Sequence, residues 1–222
     1  MSAAEARQAL INLTTVTRRE LFALWQRLAR LEDPAVIRDA LMVALPTIGD
    51  EYGLAAAALA ADWYDSLREE SGVPGRFRAE PHEPPGRRRW ESLVRWGVEP
   101  LFQSDPDPAT AFARIEGGTQ RTVADGHRLT VVENTKRDPR AKGWRRVGDG
   151  SSCAFCRLLI SRGAVYSKDT VTFKSHDHCG CSAAPSWDEG ATVSTLAYRA
   201  SERRITDADR ARLRAYLREH DA

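Results

Sequence analysis

The chain has 222 residues, of which 42% are hydrophobic and 29% charged, and its formal net charge is +2. That length holds one sizeable domain or two small ones, and the balance belongs to a folded protein rather than a disordered or fibrous one. No apolar run nears the ~18–20 residues that span a bilayer, the opening MSAAEARQAL lacks a secretory pattern, and so small a net charge does not by itself call for nucleic acid, so residence in a reducing cytoplasm is the expectation.

The first 72 residues read as a helical region. Leu21, Leu24, Trp25, Leu28 and Leu31 recur at helical spacing and share one face. Asp33 and Pro34 form a cap and first-turn pair that restarts the chain. Ile37, Leu41, Leu45 and Ile48 then make a second stripe, and Leu59, Trp63 and Leu67 a third, with Pro46 and Gly53 expected to kink or break between them. Short connections make such helices antiparallel neighbours in a hairpin or small bundle. Trp25 and Trp63, at helical spacing, are core residues on this reading.

Residues 73–89 change character. Pro74, Gly75, Pro81, Pro84, Pro85 and Gly86 interleave with arginines, which predicts a Pro/Arg-rich linker with no regular element. A second helical region, 90–142, carries Trp90, Leu93, Val94, Gly97 and Leu101. After Asp105-Pro106-Asp107-Pro108 it continues through Phe112 and Ile115, is expected to pause near Gly117-Gly118, and ends with a helix from Val123 to about Thr135. From Gly143 the pattern turns to short β segments: Trp144–Val147, Ala164–Tyr166 and Val171–Phe173, with a turn at 148–152. This module spans 143–190, and a tail with a charged helix capped by Thr206 fills 191–222. The fold class is thus α+β, mainly α: a helical hairpin or bundle, a small β-rich module stapled by metal, and a terminal helix.

Four cysteines fall between residues 153 and 181 and the rest of the chain has none. Without a secretory signal, disulfides are disfavoured and metal ligation explains the clustering. Cys153-Ala-Phe-Cys156 places two sulfurs on one tight turn, and His176-Asp-His-Cys179-Gly-Cys181 supplies the second pair, the pattern of a tetrahedral zinc site. Cys153, Cys156, His176, Cys179 and Cys181 are the candidate ligands for four places. Cys179 and Cys181, two apart in an extended segment, share a face, so which of these and His176 completes the set stays open. His178 is read as a polar neighbour. Four good ligands describe a closed structural site rather than a catalytic one, which keeps a position open for water.

Arg87-Arg88-Arg89 and Arg145-Arg146 are dense basic spots, either a solvated surface or contacts to phosphate or an acidic partner. No phosphate-binding glycine loop, nucleophile elbow or His-Glu-x-x-His pair occurs. Nothing in the sequence assembles a nucleophile, base and orienter.

The stretch Asn134, Asp138-Pro139-Arg140-Ala141, Gly143-Trp144-Arg145-Arg146-Val147, Cys153-x-x-Cys156, Leu159, Arg162-Gly163-x-x-Tyr166, His176-x-x-Cys179-x-Cys181 and Pro185 resembles the C-terminal module of tailed-phage head morphogenesis proteins. These are the MuF-like minor capsid proteins, and the likeness is to versions from actinobacterial phages. It covers about residues 134–187, and the family pattern selects His176 over His178. The resemblance implies a protein made in the host cytoplasm and packed inside the capsid near the portal, assisting head assembly. Its implied partners are the portal protein and the major capsid and scaffold proteins, with phage DNA a further one and no membrane. A capsid maturation protease, or a DNA-binding or treble-clef nuclease-like internal head protein, is the alternative role.

Overall fold

The computed structural model describes residues 1–148, 152–168, 173–187 and 206–219. Helix α1 (Ala3–Leu28) starts at a capping box, in which the Ser2 hydroxyl accepts from the Glu5 amide and Glu5 accepts from the Ser2 amide. A single 3₁₀ turn (Ala29–Leu31) leads to α2 (Pro34–Glu70), whose Asp33 cap accepts from the Ala35 amide. Helix α3 (Arg87–Val98) follows, then a 3₁₀ turn (Glu99–Phe102) and α4 (Pro108–Arg137), capped by Asp107. Strand β1 (Gly143–Val147), helix α5 (Ala154–Ser161), strands β2 (Tyr166–Ser167) and β3 (Ser182–Ser186), and helix α6 (Asp207–Glu219) complete the described elements. The architecture is α+β and mainly α.

Three expected breaks are absent. Helix α2 runs unbroken through Pro46 and Gly53, and α4 through Gly117-Gly118. Tertiary packing outweighs the local cost of these residues. A Cβ on Gly118 would meet Leu93 at 2.2 Å and one on Gly117 would meet His178 at 2.8 Å, so this pair lets α3 and the 176–181 loop lie directly on α4. The glycines permit close approach instead of ending the helix.

Helix α4 is central, touching α1, α2, α3, β1 and β3. Near its start, Ile115 joins Leu21, Trp25, Leu41, Leu45, Trp90 and Val94 in one apolar cluster. Further along, Val131 and Val132 pack with Trp63 and Tyr64 of α2 and with Trp144, Tyr166, Ala183 and Ala184 of the sheet. The sheet therefore shares its core with the helices. Its order is β2-β1-β3, all antiparallel, with Trp144 opposite both Tyr166 and Pro185. The Trp144 and Tyr166 rings stack with centroids 4.3 Å apart.

The predicted strand at 144–147 is β1, and the segment expected at 164–166 forms β2 slightly later. Phe173 belongs to no strand, while Val171 and Thr172, like most of the expected 148–152 turn, lie outside the described residues. The sheet's third strand is β3, whose Ser-Ala-Ala-Pro-Ser sequence carries no alternating apolar pattern. Thr206 caps α6, its hydroxyl accepting from the Asp209 amide.

The 73–86 segment has no regular structure but is held as a strap. Arg68 donates to the Val73, Pro74 and Gly75 carbonyls; Asn134 exchanges hydrogen bonds with Glu80; and the His82 amide donates to the Thr130 hydroxyl. The linker ends earlier than expected, because Arg87–Arg89 form the first turn of α3. Where the strap, α2 and the sheet meet, the buried Asp138 carboxylate accepts from Tyr64, Arg68, Trp187 and the Arg140 amide. Burial opposes its charge, but the Trp187, Arg140 and Arg68 donors outweigh that and hold its pKa below the usual range.

Replacing Asp138 with Asn leaves the buried Arg68 without its counter-charge, and urea unfolding should show a loss of about 3 kcal/mol or more; a loss well below 1 kcal/mol would contradict this role for the carboxylate. A second expectation concerns His127, buried on α4, stacked on Trp63 and bonded to Ser182 at 2.9 Å. Burial, aided by neighbouring Arg128, pushes its pKa down to about 4. The unfolded chain takes up this proton near pH 6.5 and the folded chain only near 4, so stability is complete above 6.5 and is lost as pH falls between these values. Wild type should lose up to roughly 3 kcal/mol more than His127→Asn across that window; equal pH slopes in the two proteins would contradict it.

Candidate metal centre

The first two candidate ligands sit at the start of α5. Cys153 is its N-cap, its sulfur accepting from the Cys156 amide at 3.5 Å, and Cys156 is the third helical residue. The expected tight turn is thus a helix N-terminus, which turns both sulfurs to one side. Burial raises the Cys153 pKa, but the Cys156 amide and the His176 imidazole outweigh it and favour the thiolate.

The 176–181 loop brings the other three donors. His176 Nδ1 lies 2.7 Å from the Asp177 carbonyl, which only accepts, so Nδ1 carries the proton. Nε2 keeps its lone pair and faces Cys153 Sγ at 3.2 Å and Cys156 Sγ at 3.7 Å. A ligating histidine has this arrangement, oriented by the bond its other nitrogen makes. Cys156 Sγ is also 3.5 Å from both Cys179 Sγ and Cys181 Sγ, which are 2.8 Å from each other. None of these separations is the ~2.05 Å of a disulfide, and all four cysteines are free.

The donors form two overlapping triads, Cys153–Cys156–His176 and Cys156–Cys179–Cys181, each with all ligand atoms within 4.8 Å of one another. Sulfurs bound tetrahedrally at ~2.3 Å stand about 3.8 Å apart, close to the 3.5 Å separations here. The structure therefore assembles all five predicted donors into a cluster fit to hold a metal ion, with Cys156 common to both halves. His178 is turned out of it, bonding Gln120 through Nδ1 at 3.0 Å with φ of 59°.

Around the sulfurs lies a cationic shell that sequence reasoning missed. Arg146 donates to Cys181 Sγ at 3.0 Å and to the Lys174 carbonyl. The fully buried Arg128 of α4 donates to the Cys179 and Cys181 carbonyls, to Asp125 and to Ser175. Both guanidiniums cover the Phe173 ring, and Arg7 of α1 donates to the Gly180 carbonyl. Hydrogen bonds from Cys156 and Cys179, reinforced by Arg146 and Arg128, hold the Cys181 thiol far below its ordinary pKa, while the same sulfur contacts push Cys156 up. Several thiolates at one point carry excess negative charge, which this shell offsets. One signal for it was legible: Arg128 interrupts the buried Ala124–Val131–Thr135 stripe of α4, and a charge there needs a partner.

The basic spots separate. Arg146 is buried, with Nη1 on Cys181 Sγ and Nη2 on the Lys174 carbonyl, so it is withdrawn from any outside phosphate, whereas Arg145 is exposed. In α3, Arg87 pairs with Glu91, while Arg88 and Arg89 face solvent.

A model of the VG15 protein family matches residues 1–202 of this chain. The chain is 36% identical over 153 residues to the Gene 15 protein of Mycobacterium phage L5, covering 63% of this chain and 49% of that protein. It is 35% identical over 138 residues to the Gene 15 protein of Mycobacterium phage D29, covering 57% and 46% respectively. It thus spans about half the length of the curated relatives it matches. No solved structure matches.

The purified protein should carry one divalent ion by native mass spectrometry, and chelator should lower its melting temperature by about 10 °C or more, since structural ions contribute many kcal/mol. Cys156→Ser removes the donor common to both triads and should abolish binding; a Cys156→Ser protein that keeps a full equivalent of metal would refute the geometry.

Proposed function

The chain belongs to the VG15 protein family, and on that footing we propose that it is a phage minor capsid protein of the MuF-like kind. In this reading it assists head assembly near the portal, inside the capsid, and its cysteine cluster holds a structural zinc ion. The observation that carries the reading is where the residues of the head-morphogenesis resemblance lie. Asp138, Trp144, Arg146, Cys156, Tyr166, Cys179 and Cys181 are all buried determinants of one folded unit. They knit the module together, so the resemblance falls on the residues that build this fold.

Zinc is the ion that best suits thiolate and imidazole donors in a tetrahedral cluster, and it does no redox chemistry there. Among the described residues, two pairs approach a hydrolytic dyad: Ser182 with His127, both about 1% exposed, and Cys153 with His176, whose Sγ and Nε2 are 3.2 Å apart. A substrate has no access to the first pair, and an ion held by the cysteine cluster engages both atoms of the second, which favours assembly over maturation proteolysis.

The helical body offers a surface for a partner. Val36, Val43 and Leu54 lie at i, i+7 and i+18 along one face of α2 and are 46%, 72% and 47% exposed. Such a row suits docking on portal or capsid protein. In a phage lacking this gene, complementation with wild type should restore head yield, and Val43→Asp should reduce it several-fold with an unchanged melting temperature. Purified virions should contain the protein, shielded from added protease. Its absence from both procapsids and virions would overturn the proposal.

A further inference from the structure

A cleft lined by none of the five cysteine-cluster donors lies beside the 173–175 segment. It has a volume of about 530 Å³ and opens between the strap, the first turn of α3, the middle of α4 and the 173–175 segment. Its walls are apolar where Pro84, Pro85, Leu129 and Phe173 line it, and its cations are Arg89, Arg121 and Lys174. Arg121 is paired with Asp177, yet its Nε is buried without a hydrogen-bond partner. Among the described residues, the side chains of Arg89 and Lys174 have no ionic partner. A smaller hollow of about 180 Å³ continues the cleft, sharing Arg89, Arg121 and Thr122 and ending at Trp96, which is 47% exposed.

Of the two carboxylates lining the main cleft, Asp125 is engaged by Arg128 and Ser175. Glu83, the other, has no ionic partner among the described residues. Unpaired cations beside an apolar wall, with one acceptor and far more room than a bare phosphate needs, describe a site for an anion joined to a flat ring.

We propose that this cleft binds a nucleotide, free or within a single strand. Arg89 and Lys174 take the phosphate, Pro84, Pro85 and Leu129 cover the base, and Glu83 accepts from its amino edge. A strand would continue along the hollow toward Trp96, whose half-exposed indole also carries the Arg114 guanidinium at 5.2 Å. The inference does not rest on the capsid reading and applies to any role of the chain.

Two variants test it in the full-length, metal-loaded protein. Arg89→Ala/Lys174→Ala removes the phosphate contacts. Gly53→Leu fills the cleft without touching a charge, because a Cβ on Gly53, which lines it, meets no atom within 4 Å. The probes are dAMP by calorimetry and a fluorescein-labelled dA12 strand by anisotropy, with Arg145→Ala as the control. Wild type should bind at about 50 mM salt, and each cleft variant should bind at least tenfold more weakly with an unchanged melting temperature. The control should match wild type. For the strand, the double variant should also lose roughly 0.7 from the logarithmic salt slope, the share of one phosphate. Binding of dAMP as tight as the strand identifies a free nucleotide, and binding of the strand alone identifies a strand; either supports the site. No binding of either probe, or binding kept by both cleft variants, overturns it.

Discussion

Arg128 lies fully buried on α4, and its guanidinium reaches the carbonyls of Cys179 and Cys181 while its flank covers Phe173. A charge placed there without partners would cost several kcal/mol. The 173–181 segment must therefore fold back onto α4 in one register, with its carbonyls presented to the fork. That register puts His176, Cys179 and Cys181 opposite the N-terminus of α5. The metal cluster is thus a consequence of how one helix holds one loop, and an ion bound there locks the same contact from the other side.

Charge balance follows from the same arrangement. Arg146 comes from β1 and donates to Cys181 Sγ while Arg128 of α4 donates to the Cys181 carbonyl, so sheet, central helix and cysteine loop meet at a single residue. The second polar hub, Arg68 with Asp138, fastens the strap and the end of β3 through Trp187. Between these hubs the sheet needs no core of its own, because Trp144 and Tyr166 pack against α2 and α4. Two buried cations of opposite placement, one near each end of the sheet, account for how so small a sheet is oriented on the helices.

Much of this was legible in the sequence, and the parts that were not share a cause. Apolar stripes located α1 to α4, cap residues located the starts of α2 and α6, and cysteine spacing located the donors, since each of these signals is local. Pro46 and Gly117-Gly118 misled because their cost is local while their compensation is tertiary: Leu93 and the 176–181 loop need the space the glycines leave. Strand β3 was hidden because Ser-Ala-Ala-Pro-Ser has no period-2 pattern when both faces are covered, and all five of its residues are buried. Arg146 read as a basic surface spot because sequence does not distinguish a solvated arginine from one bonded to a sulfur.

A chain of the VG15 family, matching about half the length of its mycobacteriophage relatives, packs a helical body and a cysteine module into a shared core cluster. The account turns on the cysteine cluster binding an ion that ties this module to α4. X-ray absorption at the zinc edge of the purified protein tests that most directly. The account predicts a four-coordinate shell dominated by sulfur at ~2.3 Å with an imidazole contribution. A shell of oxygen neighbours, or protein that binds no zinc, would contradict it.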